Sequence, residues 1–458
     1  MKEACKLLCN MQNKPPNQEI SGWRNSLAAY TDRHVLQVLA LGFASGLPLM
    51  LTFLTLSAWL ATAGIKRSAI GAFALVSSFY ALKFLWSPLI DRLPPPLPLG
   101  RRRGWGLTIQ IALVAAIVAL GTCDPKRNLG TMAILAAMVA FLSASQDIVI
   151  DAWRIEILPR DLQGPGAAMI QAGYYMGMLV SGAGALAIAA RFSWFAAYTT
   201  MAVLLPVSSL TFLLGPEPSV PREAPDRRHR TNRWKAVEEW FSTAVIGPFS
   251  DFMRRPYWFL ILLVILDYKL GEGMAAVMST PLYIAVGFTL NEIAVVSKLF
   301  GPFTVILGAL LGGIVTVRFG LVRSLILCGI LQALGNLTYV LQAVSGHKIA
   351  YLAFCVTAQN VTSGMAGTAF IAYISSLCSP EFTATQYALL ASLALMGRTV
   401  VGSTSGVISE ATGWVLFFLL TTVASLPALM MLVWVDRRGS SRSGRMRSAP
   451  TLAGERNL

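Results

Sequence analysis

Apolar stretches recur along the chain at 36–60, 69–90, 105–122, 131–157, 165–190, 194–214, 256–286, 293–317, 322–344, 349–378, 383–410 and 413–435. Each is near or above the roughly 20 residues a helix needs to cross a bilayer. The polar break at 215–255 divides the twelve into two sets of six, the organisation of a carrier built from two halves. The pattern thus predicts an all-α polytopic membrane protein. Its parts are an N-terminal tail (1–35), a six-helix bundle (36–214), a linker (215–255), a second bundle (256–435) and a basic tail (436–458). Within the linker, Pro216, Pro218, Pro221 and Pro225 break any helix. Beyond them Trp234, Val237, Phe241 and Val245 recur at helical spacing beside Lys235, Glu238 and Glu239. That periodicity predicts an amphipathic helix on the membrane surface, serving as a tether between the halves.

Composition agrees with this reading. Hydrophobic residues make up 55% of the chain and charged ones 13%, more apolar and less charged than soluble domains are. The net charge of +15 would suit nucleic acid, but its placement argues for membrane orientation instead. Lys2, Lys6, Lys14, Arg24, Arg33, Arg92, Arg101 to Arg103, the run from Arg222 to Arg255, Arg318, Arg323 and Arg437 to Arg456 all fall on one side. Few basic residues, such as Lys66, Arg67, Lys126, Arg127, Arg191 and Lys348, fall on the other. Both termini and the linker are therefore expected in the cytoplasm, with no nucleic-acid partner. The first apolar stretch follows a long polar segment and is itself long enough to span, so no secretory signal peptide is expected. Six scattered cysteines without paired spacing favour neither disulfides nor zinc.

Candidate chemistry lies where polar residues interrupt the apolar helices. In the fourth, Gln146, Asp147, Asp151 and Arg154 fall in one stripe, with Asp147 to Asp151 and Asp151 to Arg154 spaced i,i+4 and i,i+3. Charge at membrane depth usually faces a bundle interior or a wet cavity. Asp147 is the deeper acid and the better proton-site candidate; Asp151 is the second, with a structural pair to Arg154 as the alternative. Lys83 in the second helix either snorkels to the surface or meets these acids. The seventh helix carries Asp267, Lys269 and Glu272, of which only Lys269 and Glu272 share a face. Glu272 is a reserve proton site, and Gly271 and Gly273 are expected to loosen that helix. Arg398 in the eleventh either holds a cargo carboxylate or joins an interhelical salt bridge. Ser45, Thr52, Gln171, Tyr174, Tyr175, Gln332, Asn336, Gln359, Asn360 and Gln386 offer hydrogen bonds or ring faces to a polar cargo, or simply hold helices together. The spacings Gly173-xxx-Gly177, Gly308-xxx-Gly312 and Gly402-xxx-Gly406 predict close helix contacts.

Two loops at corresponding places in the halves are alike. Ser87-Pro-Leu-Ile-Asp-Arg92 precedes a proline-rich insert and Gly100-Arg-Arg-Arg-Gly104, while Gly312-Gly-Ile-Val-Thr-Val-Arg-Phe-Gly320 precedes Arg323. Both resemble the basic cytoplasmic loop of the major facilitator superfamily. Asp91, Arg92, Arg101, Arg102 and Arg103 are expected to form a conformational latch across the two halves. The second copy lacks the acid. Further strings resemble the AmpG-type muropeptide permeases: Gly42-Phe-Ala-Ser-Gly-Leu-Pro48, Leu82-Lys-Phe-Leu-Trp-Ser-Pro-Leu-Ile-Asp-Arg92, Gly100-Arg-Arg-Arg-Gly-Trp105, Ser145-Gln-Asp-Ile-Val-Ile-Asp-Ala-Trp-Arg154 and Phe382-Thr-Ala-Thr-Gln-Tyr-Ala-Leu-Leu390. This resemblance covers nearly all of 36–435. It implies a proton-driven bacterial inner-membrane permease importing anhydromuropeptides for peptidoglycan recycling, and, in suitable hosts, a part in β-lactamase induction. Trp153, where many members carry Tyr, and the insert Leu93-Pro-Pro-Pro-Leu-Pro98 set this chain apart.

Acetyl-coenzyme A transporters share weaker features of the pattern and are the main alternative cargo class. An enzyme is not expected, since His34, His229 and His347 lie outside helix centres and no phosphate loop or metal-ligand cluster is visible. A membrane sensor would not require buried charge in both halves. The expected state is a monomeric carrier without cofactor.

Overall fold

The computed structural model describes residues 23–218 and 246–435. Helices fill nearly all of both segments. The first half comprises α1 (Arg33–Thr62), α2 (Ser68–Leu85), α3 (Arg101–Gly121), α4 (Leu129–Ile157), α5 (Arg160–Arg191) and α6 (Trp194–Leu214). A short helix, Ser87–Arg92, continues α2. In the second half α7 comes in two pieces, Trp258–Asp267 and Leu270–Val286. It is followed by α8 (Leu290–Phe319), α9 (Leu321–Ser345), α10 (Ile349–Ser376) and α11, which begins at Thr383.

All twelve expected stretches are thus helical, with two departures. Among the described residues nine helices are long and apolar enough to cross a membrane, ten if α10 and α11, bent by 104° at their junction, count as one broken span. Neither piece of α7 reaches that length alone. The second departure concerns where α11 ends. Past Thr404 the chain stays helical over Ser405–Ala424, but Gly413 stands at φ 74° and ψ 167°. Gly320, the tight turn from α8 into α9, has nearly the same angles, φ 78° and ψ 167°. That region of φ is open to glycine and costly for residues with a Cβ. Gly413 is therefore the turn, α11 occupies 383–412, and α12 runs from 413 to 435.

Helices meet most closely where glycine allows it. A Cβ on Gly42 or Gly46 of α1 would stand 2.3 and 2.1 Å from the carbonyl oxygens of Ile170 and Tyr174 in α5; one on Gly173 or Gly177 would stand 2.2 Å from those of Leu39 and Phe43. Gly308 of α8 and Gly364 of α10 meet the Val361 and Val305 carbonyls in the same manner, at 2.1 and 2.3 Å. Small residues are what allow backbones to approach within a bilayer, where apolar burial drives little association. Two of the three expected glycine contacts hold. Gly402 has only ordinary packing, and nothing lies near Gly406.

The expected tail and linker both carry structure that packs on the bundles. The expected tail 1–35 includes helix Trp23–Ala28, and Tyr30 inserts its ring beside Gly313 with its hydroxyl donating to the Leu310 carbonyl at 2.6 Å. Tyr30 thus joins the halves. The amphipathic helix expected at 234–245 lies outside the described residues. The linker's last part, helix Gly247–Met253, docks on the start of α11 through Asp251.

Because a Cβ at Gly46 has nowhere to go against a backbone carbonyl, Gly46→Val should destabilise the carrier by about 2 kcal/mol or more. Gly406→Val, in open space, should change little. Thermal unfolding of the two variants, followed by size-exclusion chromatography in detergent, checks this; equal melting temperatures would remove the close crossing.

Candidate functional site

Between the halves three polar groups stand at different depths. The first is at the basic end, which carries Arg92, Arg101 to Arg103 and Arg318. Gly100, at φ 95°, lets the chain turn sharply into α3, and Glu217 accepts the otherwise unmet N–H groups of Arg102 and Arg103 at 2.8 and 3.1 Å. That capping aims the three arginines differently. Arg103 donates to the Phe212 and Leu213 carbonyls at the end of α6, at 2.7 and 2.8 Å. Arg101 reaches the Asp91 carbonyl at 3.1 Å and Glu156 at 3.3 Å. Arg102 is fully buried between Asp91 Oδ1 at 2.8 Å and Glu156, which it grips with Nε and Nη2. The other oxygen of Asp91 crosses to the second half, where it accepts from both the backbone N–H and the hydroxyl of Thr385, each at 2.8 Å. Asp91 is therefore shared between an arginine of its own half and the N-terminal turn of α11, whose exposed N–H groups favour an anion. Arg92 stacks over Phe382, 5.0 Å from its centroid.

The second group lines α4. Asp151 lies between Lys83 and Arg154, each 3.7 Å away. Lys83 thus meets the acids. Arg154, buried completely, donates to Ser375 of α10 at 3.0 Å and lies 5.5 Å from the Tyr387 centroid. One helical turn deeper, Asp147 accepts from the Ser45 hydroxyl at 2.5 Å. No cation stands within ion-pairing distance of it among the described residues. Neighbouring Gln146 is buried with neither amide atom hydrogen-bonded.

The third group belongs to α7. Lys269 and Glu272 form a close ion pair through Glu272 Oε2, while Oε1 accepts from Ser363 of α10 at 2.7 Å. The break in α7 falls at Tyr268 and Lys269, so the cation of this pair lies within it and the acid just beyond. Gly271 and Gly273, expected to loosen the helix, lie just past the break, inside its continuous second piece. A Cβ at Gly271 would lie 2.2 Å from the Thr421 carbonyl, and one at Gly273 would lie 2.6 Å from Arg398 Cγ, so both serve close packing. Asp267 faces away and accepts the Ala428 N–H at 2.7 Å, just beyond Pro427. Behind Glu272, Gln359 donates to Asn336 at 3.1 Å. Tyr174 and Tyr175 of α5 meet edge to face, centroids 6.1 Å apart. Tyr174 lies in the field of Asp147, and Tyr175 in that of Glu272 and Arg398. The tyrosine pair thus links the second group to the third.

Two expected binding residues are held elsewhere. Gln386 sits at the basic end, accepting the Ser379 N–H at 2.7 Å and donating to the Pro248 carbonyl and Asp251 at 3.1 and 2.8 Å. It fastens the linker's end to α11. Asn360 donates to the Gly301 carbonyl of α8 at 3.1 Å. Conversely, sequence reasoning passed over Glu156, Thr385, Ser363 and Asp251. Glu156 was visible two residues past Arg154, but its partners come from another helix.

The contacts joining the halves, at Tyr30, Asp91, Arg92, Arg154 and Gln171 with Thr368 at 3.3 Å, run from the basic end to about mid-depth. A two-halved helical membrane carrier closed at its basic end is the class this arrangement defines. Comparison with known proteins agrees. Residues 38–306 and 270–456 match the family model of the Major Facilitator Superfamily. The chain is 44% identical over 398 residues to the anhydromuropeptide permease of Escherichia coli K12, covering 86% of this chain and 78% of that one. It is 32% identical over 413 residues to the putative transporter AmpG 4 of Rickettsia conorii, covering 89% and 98%. Among solved structures, the superfamily transporter FucP in its outward conformation matches with a TM-score of 0.65 at 12% identity, over 89% of this chain and 99% of that one. The chain belongs to the major facilitator superfamily and, within it, to the AmpG-type permeases.

The split carboxylate of Asp91 carries a direct consequence. Asp91→Asn keeps the side chain's shape but removes the charge that both Arg102 and the α11 turn require. Net transport should fall about tenfold while cargo affinity in detergent changes less than about twofold, because the change acts on the equilibrium between states. Parallel measurement of uptake and binding checks this; an unchanged transport rate would remove the latch.

Proposed function

We propose that this permease imports anhydromuropeptides, N-acetylglucosaminyl-anhydro-N-acetylmuramyl peptides, from periplasm to cytoplasm across a bacterial inner membrane. The observation that carries the cargo is the 44% identity over 86% of the chain to a relative named for it. In this reading the basic end is cytoplasmic, as are both termini. The carrier works as a monomer by alternating access, and its cargo feeds peptidoglycan recycling. In a host whose β-lactamase responds to cytosolic muropeptides, it supplies the inducer.

Proton coupling is assigned to Asp147. Within the spans Asp151 faces two cations and Glu272 faces Lys269. Asp267 lacks an ion pair but is committed to a backbone N–H. Asp147 has a hydroxyl and no cation within ion-pairing distance, Lys83 reaching it only through the field, so of these acids its charge is compensated at the longest range and a proton there relieves it. It also adjoins Tyr174 and the unpartnered Gln146, which favours a site that cargo and proton share.

Vesicles reconstituted with the purified chain should accumulate radiolabelled anhydromuropeptide, and excess acetyl-coenzyme A should not compete. Competition by acetyl-coenzyme A would transfer the cargo to that class, and binding without flux would make the protein a sensor. A second measurement isolates coupling. Asp147→Asn should lose accumulation under an imposed pH gradient yet retain counterflow of labelled against unlabelled cargo. Accumulation at the wild-type level would move the proton site to Glu272.

A further inference from the structure

Arg398 is a cation at the middle of α11, fifteen residues beyond Thr383, and it is exposed. It makes no hydrogen bond or ion pair among the described residues. Its neighbour Glu272 lies within its electrostatic reach, but the hydrogen bonds of that carboxylate go to Lys269 through Oε2 and to Ser363 through Oε1. An arginine facing lipid at mid-span would be costly, so a guanidinium kept there has to face water or an anion. Its surroundings point inward. The stem packs on Gly273 of α7, where a Cβ would come within 2.6 Å of Cγ, and Gly397 beside it packs on Leu266. Tyr175 of the opposite half lies within its electrostatic reach. The contacts that join the halves lie between the basic end and Gln171, and α2 is the least buried span. The Arg398 head group therefore stands between the halves, beyond the closed part, with its planar fork of donors unclaimed.

We propose that Arg398 is the receptor for a stem-peptide carboxylate of the cargo and sets the carrier's preference for anionic peptides. This rests on the permease reading and deepens it. A guanidinium matches a carboxylate with two parallel N–H···O bonds, a fit an ammonium cannot reproduce. The glycine beneath the stem fixes where the fork sits, so the carboxylate is met at a defined height beside Tyr175. Lys83 is bound to Asp151, whereas Glu272 alone serves both Lys269, which it pairs, and Arg398, which it reaches only through the field, so this group keeps a net positive charge for an anion to meet.

The test compares two labelled cargoes in vesicles carrying the full chain: the anhydromuropeptide tripeptide, and the same molecule with every stem-peptide carboxylate amidated. The wild type should show a KM for the amidated cargo about ten- to a hundredfold higher, the span expected for a charge-assisted hydrogen-bonded pair. R398Q should raise the KM of the free-carboxylate cargo into that range and leave the amidated cargo unchanged, abolishing the preference. R398K, which keeps charge and stem, should restore it in part. An R398Q carrier that still prefers the carboxylate, or that loses both cargoes equally, would overturn the assignment. So would failure of both variants to give folded carrier, since Arg398 would then serve the fold. If the wild type takes up neither cargo, the permease reading itself fails and this one goes with it; uptake of both without preference removes only the carboxylate site.

Discussion

A charge inside a bilayer has to be paired or kept wet, and the distribution of this chain's intramembrane charges follows from that demand. At the basic end, pairing is complete enough to hold the halves together. Asp91 gives one oxygen to Arg102 and the other to the first turn of α11, so separating the halves there uncovers a carboxylate, a helix terminus and the Thr385 hydroxyl at once. Toward mid-depth the pairing thins. Asp151 still has two cations, Asp147 has only a hydroxyl, and Arg398 has neither hydrogen bond nor ion pair.

The helices that present these groups approach one another backbone to backbone where glycine permits it. The glycines of α1 and α5 bring Ser45 and Tyr174 onto helices whose backbones nearly touch. On the neighbouring α4, the short Ser45 hydroxyl reaches the Asp147 carboxylate directly. In the second half Gly271 does the same for α7 against α12, and Ser363 reaches Glu272 from α10. Short donors on close helices leave little slack, whereas Lys83 and Arg154 approach Asp151 only to 3.7 Å.

Much of this was legible in the chain. Helical spacing alone put Asp147, Asp151 and Arg154 on one face and separated Asp267 from Lys269, because periodicity is a local property. The turn at Gly413 also follows from the apolar pattern, which ends one stretch at 410 and begins the next at 413. Partners from distant helices were not legible. Nothing near Glu156 in sequence shows that Arg102 will lie against it, and nothing near Thr385 shows an aspartate 294 positions away. Gln386 illustrates the limit from the other side. A glutamine in an apolar helix reads alike at any depth, and only the docking of helix Gly247–Met253 shows that this one is a fastening at the basic end.

The missing acid in the second loop copy has a physical counterpart. Where α2 meets α11, closure is electrostatic and concentrated on Asp91. Where α5 meets α8, the pseudo-equivalent seam, a Cβ at Gly164 would stand 2.7 Å from Thr316, and one at Gly313 would stand 2.0 Å from the Tyr30 hydroxyl and 2.9 Å from Ala168. That seam is closed by shape, with small residues letting one helix sit against the other. The two seams respond to different influences. A change in charge or protonation between the halves acts on the first through the field and leaves the second almost untouched, since van der Waals contact carries no long-range term. Charge between the halves therefore bears on the α2–α11 seam, while the glycine-lined α5–α8 seam is held by close packing.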